Sequence, residues 1–367
     1  MNRFLQLHML TNYPAANPNR DDAGRPKQTV MGGYTRQRIS SQSLKRAWRT
    51  SDAFADALSG EIGWRTRELG IGVYRTLLES GMPEKKANDA ATLIAGVFGK
   101  VKPRDKKTES EGKPYRGPTI EQLVHVSPAE REAVDTLATN LSETRELPTT
   151  EQLNLLRKGR TAADIALFGR MLAKNPDYNV EAACQVSHAV SVHAVTIEDD
   201  YFTAVDDLRS AKRDDEDAGA AHIGETGFAT SLFYKYICID RHQLVENLGG
   251  DEELAKRAIG ALVEAAATVS PSGKQNAFGS RTRASYILAE TGDQQPRSLV
   301  LSFLRPVRDV SSNGYHWEAA RALERQRDAF DQAYGPCADQ WVKMNAGIDG
   351  TSEPVGSLQE IINFARS

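Results

Sequence analysis

The order in which strand-like and helical segments follow one another is the feature that most restricts how this chain folds. Residues 4–10 (FLQLHML) alternate and place Leu5, Leu7 and Met9 on one face of a strand. The segments that follow predict, in chain order, a helix at 41–60, strands at 185–195 and 228–240, a helix at 251–270, and strands at 283–290 and 298–307. The order strand, helix, strand, strand, helix, strand is that of the ferredoxin-like or split βαβ fold, so we predict an α+β protein. RNA-recognition modules and many small enzymes share this fold, which therefore does not decide the function.

Two long segments interrupt this order. Residues 61–185 read as mostly helical, broken by a charged loop at 100–116, and predict a helical subdomain. The polar segment at 196–226 separates two strands, and we interpret it as a long hairpin or flap because compact domains seldom keep structureless loops of that length. Helices near 315–333 and 356–366 end the chain, whose 367 residues fit one elaborated domain or two.

The first helix combines a capped start with a basic face. Ser40 or Ser41 can cap it, and its apolar stripe is formed by Leu44 and Trp48. Gln42, Lys45 and Arg49 fall roughly opposite that stripe, and no acid occupies the first turn. Such a face suits a phosphate backbone. An ordinary solvated face is the alternative, and the nearby Arg20, Lys27, Arg36 and Arg38 favour phosphate.

Basic residues are concentrated in three segments, although the net charge is −3. Residues 1–50 carry nine Lys or Arg against two Asp, a local balance of +7. Residues 97–116 and 271–308 each balance at +4. A chain with segregated basic segments can bind a polyanion on one surface without being cationic overall, while three solvated loops are the simpler interpretation.

Candidate catalytic and metal-binding groups are few. The adjacent Asp21 and Asp22 suit Mg²⁺ in a nuclease, or else they turn the chain and orient arginines. His188 and His193 lie five residues apart, a spacing that disfavours shared metal ligation on a strand or a helix. P-loop, GxGxxG and HExxH motifs are absent, so we expect no cofactor, no resident metal and no nucleotide-binding enzyme.

The hydrophobic segments and the cysteines of the sequence indicate a cytoplasmic protein. No segment approaches the roughly 18 apolar residues of a membrane helix, and the N-terminal stretch turns polar too quickly for a secretory signal. Cys184, Cys238 and Cys337 are far apart and predict buried apolar residues rather than disulfides. We expect a soluble cytoplasmic protein without a membrane partner.

Tyr201, Phe202 and Thr203 place two aromatic rings in the middle of the polar flap. Apolar side chains on a hairpin can wedge between stacked bases. Packing of the rings against the protein itself is the alternative.

Several motifs occur together and in order along most of the chain. They are NRDD at 19–22, GGYTRQRISSQSLKRAWR at 32–49, TAADIALFGRM at 161–171, DDYFTAVDDL at 199–208, AHIGETGF at 221–228 and FYKY at 233–236. With these motifs the sequence resembles the backbone subunit (CasC, Cse-type) of the type I-E CRISPR surveillance complex, Cascade. Tyr34 departs from the family pattern, which has a further basic residue after the glycine pair.

The resemblance implies an RNA-recognition-motif-like palm with a helical fingers insertion and a β-hairpin thumb. The implied divisions are a first part of the palm at 1–60, the fingers at 61–185, a second part of the palm at 186–308 that contains the thumb at 196–226, and a C-terminal helical extension at 309–367. Copies of such a subunit stack head to tail along the guide RNA, an open arrangement that forms a helical filament.

The resemblance also implies residue roles. The guide-RNA backbone is held by Arg20, Ser40, Gln42, Lys45, Arg46 and Arg49, with charge added by Lys27. Met171, Phe202 and Thr203 flank a kink in the RNA and displace one base. The implied partners are CRISPR RNA, target DNA paired to the guide, neighbouring copies, and the large, small, RNA-end-processing and foot subunits of Cascade. No catalysis is implied. The alternative function is a metal-dependent ribonuclease like the related type III backbone subunits, using Asp22.

Overall fold

The computed structural model describes residues 1–103, 115–204, 222–309, 313–347 and 355–367. These residues divide into two compact units. One comprises 1–54, 186–238 and 259–367, and the other comprises 55–185 and 239–258. Most of the basic loop at 100–116 and the distal part of the predicted thumb, 205–221, lie outside the described residues.

The strands are β1 (Phe4–Ala16), β2 (Gln28–Met31), β3 (Tyr34–Ile39), β4 (Trp64–Thr66), β5 (Val124–Val126), β6 (Cys184–Val186), β7 (Ala189–Ser191), β8 (Glu198–Ala204), β9 (His222–Asp240), β10 (Ala284–Gly292) and β11 (Gln340–Asn345). The helices are α1 (Ser41–Arg49), α2 (Asp52–Ala57), α3 (Leu69–Glu79), α4 (Glu84–Phe98), α5 (Pro128–Thr144), α6 (Ala163–Phe168), α7 (Arg241–Asn247), α8 (Glu252–Thr268), α9 (Gln275–Phe278), α10 (Tyr315–Tyr334) and α11 (Leu358–Arg366). Short 3₁₀ turns form at Pro176–Tyr178 and Val300–Phe303.

A large sheet forms the body of the first unit, and its strands run in the order β11-β10-β1-β9-β7-β3-β2. The pairs β1·β10, β10·β11, β2·β3, β3·β7 and β7·β9 are antiparallel. The chain is thus an α+β protein, as predicted, and these strand pairs are antiparallel. Strand β1 lies between β10 and β9, and its residues 5–10 are buried on both faces of the sheet.

The face of the sheet that carries Leu10, Tyr234 and Leu288 packs against α10 and the 3₁₀ turn at Val300–Phe303. The same face holds a buried polar network. His8 Nε2 lies 3.1 Å from Glu290 Oε2, and His8 Nδ1 lies 2.9 Å from Tyr234 Oη. Burial opposes ionisation of Glu290, but its hydrogen bonds with His8 and Arg297 outweigh burial and lower its pKa to about 2.

The second unit is mainly helical. Side chains from α3, α4 and α5 form its core, including Leu77, Ile94, Phe98 and Leu141. Strands β4 and β5 form a separate antiparallel pair. The α5 helix begins with a capping box, in which the Ser127 hydroxyl accepts from the Glu130 N–H and the Glu130 carboxylate accepts from the Ser127 N–H. The boundaries of palm, fingers, thumb and extension remain predictions.

Two sequence-based predictions of local structure were wrong. The helix predicted over 41–60 is two helices, because the Ser51 hydroxyl accepts from the Phe54 N–H at 3.3 Å and starts a new helix. No strand forms at 298–307; residues Val300–Phe303 form a 3₁₀ turn instead, and the buried Leu299, just before it, and Phe303 lie four residues apart. That spacing is helical rather than alternating. The edge of β10 is instead covered by β11, which the sequence analysis did not predict.

Candidate nucleic-acid interface

The start of α1 is fixed by three hydrogen bonds. Ser40 is the N-cap, and its hydroxyl accepts from the Ser43 N–H at 3.3 Å. The Ser40 N–H donates to Asn19 Oδ1 at 2.8 Å, and the Ser41 N–H donates to His188 Nδ1 at 2.9 Å. Ser40 is buried, so its local role is to cap the helix.

The loop before β2 is held in place by asparagines. Asn17 Nδ2 donates to the carbonyls of Gly24 and Gly227 at 3.0 and 2.9 Å. The carbonyl of Asn19 accepts from the Lys27 N–H at 2.8 Å. Because Asn19 also binds Ser40, the loop that carries Arg20 and Lys27 has a fixed position beside α1.

An open groove of about 620 Å³ lies between this loop, α1 and residues 271–273. Arg20 and Arg46 both line it, together with Asp21, Asp22 and Ser43. The structure therefore brings together two of the predicted RNA-backbone residues, both of them exposed. Guanidinium groups in an open groove can bind phosphate oxygens with bidentate geometry.

Lys27 and the other predicted RNA-backbone residues of α1 do not line this groove. Gln42 is exposed, and Lys45, Arg49 and Lys27 are partly exposed. On α1 the residues that line the groove are Ser43, Arg46, Ala47 and Thr50. Gln42, Lys45 and Arg49 each precede one of these by one position, about 100° around the helix. The basic surface of α1 thus extends beyond the groove.

Arg36 does not belong to this surface. Its side chain is fully buried and donates to the carbonyls of Ser191 and Phe303 at 2.9 and 2.8 Å. Burial lowers its pKa. Arg38, two residues further along β3, is partly exposed. The sequence analysis counted both as support for phosphate binding, and for Arg36 the structure shows a role in packing instead.

His188 is a residue of this region whose role the sequence analysis missed. Its ring is exposed, and Nδ1 accepts from the first N–H of α1, so the neutral ring carries its proton on Nε2. Partial burial, and then the charges of Arg38 and Lys27, lower its pKa. His188 and Ser41 are separated by 147 positions, so no sequence spacing indicates the contact.

The two adjacent carboxylates differ in their surroundings. Asp21 Oδ1 accepts from the N–H groups of Ala23 and Arg25 at 3.0 and 2.9 Å, which makes Asp21 a turn residue. Asp22 lines the groove with no such contact to the described backbone. Among the residues that the structure describes, no group of three or more His, Cys, Asp or Glu side chains is arranged to hold a metal ion.

The base of the predicted thumb is an antiparallel pair. Strand β8 pairs with β9, and Phe202 lies opposite Gly224. Tyr201 and Phe202 are 65% and 43% exposed, and Thr203 is exposed. Arg25 joins this hairpin to the loop before β2 through Asp199 at 2.8 Å. The aromatic pair is therefore available for contact on this hairpin, as a wedge requires.

Met171 belongs to the second unit and is 78% exposed. Its neighbours in the motif at 161–171 have structural roles. Asp164 Oδ2 lies 2.8 Å from His125 Nε2, and Arg170 donates to Glu130 at 2.7 Å, all of them buried. The motif thus positions one exposed apolar side chain on a rigid base.

Two further findings concern the cysteines and the helices. All three cysteines are buried, as predicted. Within the described part of the chain, no helix has the length and apolar content needed to cross a bilayer.

Solved structures with the same fold cover almost the whole chain. A chain of a structure described as "CRISPR RNA-guided surveillance complex, pre-nicking" is 26% identical, with a TM-score of 0.81 and 99% of each chain covered. A chain of a second "CRISPR RNA-guided surveillance complex" is 22% identical, with a TM-score of 0.71 and the same coverage, and shows the fold alone. No curated protein matches the sequence. The family model described as "CT1975-like protein" matches residues 5–362, and the chain therefore belongs to the CT1975-like protein family.

Proposed function

We propose that this protein is a non-catalytic scaffold that binds CRISPR RNA and assembles with other subunits into a CRISPR RNA-guided surveillance complex. The observation that carries the proposal is the match over 99% of both chains to a subunit of such a complex, with a TM-score of 0.81. The groove lined by Arg20 and Arg46 supplies a chemistry that agrees with it.

Within this proposal the protein is the backbone subunit of a type I-E Cascade. The order β10-β1-β9-β7 supports an RNA-recognition-motif-like palm. Strands β1 and β7, which helix α1 separates in the chain, have β9 between them in the sheet. Strands β9 and β10, which helix α8 separates in the chain, have β1 between them. The helical second unit corresponds to the fingers, and the β8–β9 hairpin corresponds to the thumb.

The RNA backbone is held without regard to sequence by Arg20, Lys27, Gln42, Lys45, Arg46 and Arg49, with Ser40 fixing the helix that carries four of them. His188 adds an uncharged donor beside Lys27 and Arg38. Base pairing between guide and target DNA then supplies sequence specificity, as in other RNA-guided systems.

The side chains of Phe202, Thr203 and Met171 flank a kink in the guide RNA, so that one base is turned out while the others remain free to pair. Their exposure supports this role. Repetition of the kink along a head-to-tail filament of copies supports R-loop formation with target DNA.

Binding of labelled CRISPR RNA to the purified protein, followed against salt in the presence of Mg²⁺, tests the proposal. We expect intact RNA, stepwise larger complexes and a steep loss of affinity with salt. The double variant Lys45→Ala/Arg49→Ala should lower the log–log salt slope by about 1.4, since each single-strand phosphate contact contributes about 0.7. Arg75→Ala/Lys85→Ala, at exposed positions of α3 and α4, is the charge-matched control. Unchanged binding by the Lys45→Ala/Arg49→Ala variant would contradict the proposal.

A second candidate function is a metal-dependent ribonuclease that uses Asp22. The position of Asp22 in the groove beside Arg20 and Arg46 favours it, because a carboxylate next to bound phosphate can hold Mg²⁺. RNA cleavage that requires Mg²⁺ and disappears in Asp22→Asn would establish this function. Intact RNA under the same conditions supports the scaffold.

A further inference from the structure

A cavity of about 550 Å³ lies at the end of α10. The lining residues of α10 are Phe330, Asp331 and Tyr334, and those of the segment after β10 are Gln294, Gln295 and Arg297. Residues 335–337, just beyond α10, complete the lining. The cavity shares no lining residue with the groove beside α1, so it is a separate site.

The backbone around this cavity is held by hydrogen bonds. The Cys337 N–H donates to Asp331 Oδ1 at 3.3 Å, and the Cys337 thiol donates to the Gln295 carbonyl at 3.5 Å. Helix α10 ends at Gly335, whose φ of +86° favours glycine and whose N–H donates to the Asp331 carbonyl at 3.0 Å. An ordered backbone lowers the entropy cost of binding a ligand.

The carboxylate of Asp331 is only partly compensated. Its Oδ1 lies 3.6 Å from Arg297 Nη2, but that guanidinium group is already bound by both oxygens of Glu290, at 2.5 and 3.1 Å. Asp331 Oδ2 forms no hydrogen bond or ion pair with a residue that the structure describes. Two carboxylates thus share one guanidinium group, and negative charge is left over in the cavity.

The end of α10 adds to this negative potential. The last carbonyls of a helix carry partial negative charge, which basic side chains in the last turn commonly compensate. The last turn of α10 contains no basic residue, and it carries Asp331 instead. The electrostatics of the cavity therefore favour a cation.

Two aromatic rings lie beside this carboxylate. The ring of Tyr334 lies 6.2 Å from that of Phe330, with an angle of 49° between the ring planes. Tyr334 is 86% exposed, which makes it the most exposed large hydrophobic side chain among the described residues. Cations bind favourably over the faces of such rings, so the rings and the carboxylate favour the same kind of ligand.

Guanidinium groups already cover other rings of this chain. Arg321 lies over Trp317 and Arg327 lies over Trp341, at 4.5 and 4.7 Å from the ring centres. No cation of the described residues lies over the ring of Tyr334. A guanidinium group is planar, stacks on aromatic faces and is less strongly hydrated than an ammonium group, so it is the cation that this ring suits best.

We propose that this cavity binds an arginine side chain presented by another polypeptide, with Asp331 as its counter-ion and the Tyr334 ring against its planar face. The side chains of Gln294 and Gln295 are exposed in the lining, and their amide oxygens can accept from the remaining N–H donors. A polypeptide fits better than a free small molecule, because enclosed pockets cover most of their ligand whereas Tyr334 stands open to solvent. Tyrosine and arginine are also the residue types that contribute most at protein interfaces.

The test uses the full chain and a labelled pentapeptide in which one central arginine is flanked by glycine and serine. Its matched ligand carries citrulline, the uncharged isostere, in place of arginine. By ligand-observed NMR we expect the arginine peptide to bind about tenfold more tightly or better. Asp331→Asn, which keeps an acceptor for the Cys337 N–H, should remove this preference. Tyr334→Leu should weaken binding about threefold, the size of a cation–π contact at an exposed site.

Two substitutions on the same helix serve as controls. Asp328→Asn removes an exposed carboxylate that is paired with Arg327, and Tyr315→Leu removes an exposed ring at the start of α10. Neither should change the affinity for the arginine peptide. Binding of CRISPR RNA should be unaltered in all four variants, so the inference and the proposed scaffold function are judged by separate measurements.

Equal binding of the arginine and citrulline peptides, or no detectable binding of either, would overturn the inference. Unchanged affinity in Asp331→Asn would do so as well. If that variant unfolds below the parent's temperature, Tyr334→Leu, at a position with little burial, decides in its place. Tighter binding of free methylguanidine than of the arginine peptide would overturn the assignment to a polypeptide and indicate a small guanidino compound.

Discussion

The ring of Phe202 occupies the space beside Gly224, its partner across the β8–β9 pair, where a Cβ at position 224 would overlap the ring. The φ of Gly224 is not positive, so the backbone conformation at this position does not require glycine. Glycine is required because the Phe202 ring leaves no room for a side chain. The hairpin thus holds an aromatic ring at a fixed height above the strand while leaving 43% of Phe202 exposed.

Gly224→Ala should therefore displace the Phe202 ring while retaining it. We expect CRISPR RNA still to bind, because the basic surface of α1 is unaltered, but the regular kink to weaken. In chemical probing of the bound RNA, the turned-out bases should react periodically along the strand. With Gly224→Ala this periodic reactivity should fall towards the level seen for RNA bound to Phe202→Ala. Periodic reactivity identical to that of the parent protein would argue against Phe202 as the wedge. Gly72→Ala, at an exposed and open position of α3, is a suitable control.

His188→Ala should weaken RNA binding modestly and leave the salt slope unchanged. The physical reason is that Nδ1 is occupied by the Ser41 N–H and the pKa of His188 is lowered, so the ring is a neutral donor that displaces no counterion. Filter binding at several salt concentrations measures both quantities, with His242→Ala, an exposed histidine on α7, as control. If the parent protein binds RNA more tightly towards acid pH, and His188→Ala removes this increase, the result would instead indicate that a protonated His188 ring contacts the RNA.

Lys235 gives the protein a distinct pH dependence of stability. Its side chain is buried, its Nζ donates to the Ala266 carbonyl in the last turn of α8 at 2.8 Å, and burial lowers its pKa to about 7. Between this pKa and the ordinary value of 10.5, the unfolded chain binds a proton that the folded chain does not. The free energy of unfolding should therefore rise with pH across this window, by at most about 1.4 kcal/mol per pH unit.

Urea denaturation at a series of pH values checks the Lys235 prediction against Lys235→Met. Subtracting the variant's profile from that of the parent removes the contribution of other titrating groups. The difference should favour the parent increasingly as pH rises. A difference that does not change with pH would show that Lys235 titrates near its ordinary pKa in the folded protein.

Arg36→Met should destabilise the first unit by about 3 kcal/mol, because the buried carbonyls of Ser191 and Phe303 each lose a charged donor. Arg38→Met, at a partly exposed position two residues away, should cost well under 1 kcal/mol. Denaturant unfolding of the two variants measures the contrast. Equal stability of the two variants would mean that Arg36 contributes no more than a surface arginine.

Local patterns predicted the elements that carry the site. The alternation of residues 4–10 correctly predicted a strand, and the Ser40 cap with the Leu44 and Trp48 stripe correctly predicted the start and the buried face of α1. These patterns depend on backbone periods of two and 3.6 residues, which operate within a few positions. The 3₁₀ turn at Val300–Phe303 escaped prediction because its apolar run has neither period clearly, and tertiary contacts decided its conformation.

The sequence by itself determined the α+β class, the capped basic helix and the placement of two aromatic residues on a hairpin. Only the tertiary structure decided which basic residues are available to a ligand. Arg36 and Arg38 lie on one strand with the same charge and a spacing of two. Arg36 nevertheless is buried, and it donates to the carbonyl of Phe303, 267 positions away. Local sequence sets the conformation of a segment, whereas burial depends on what the rest of the chain places over it, and that information is not local.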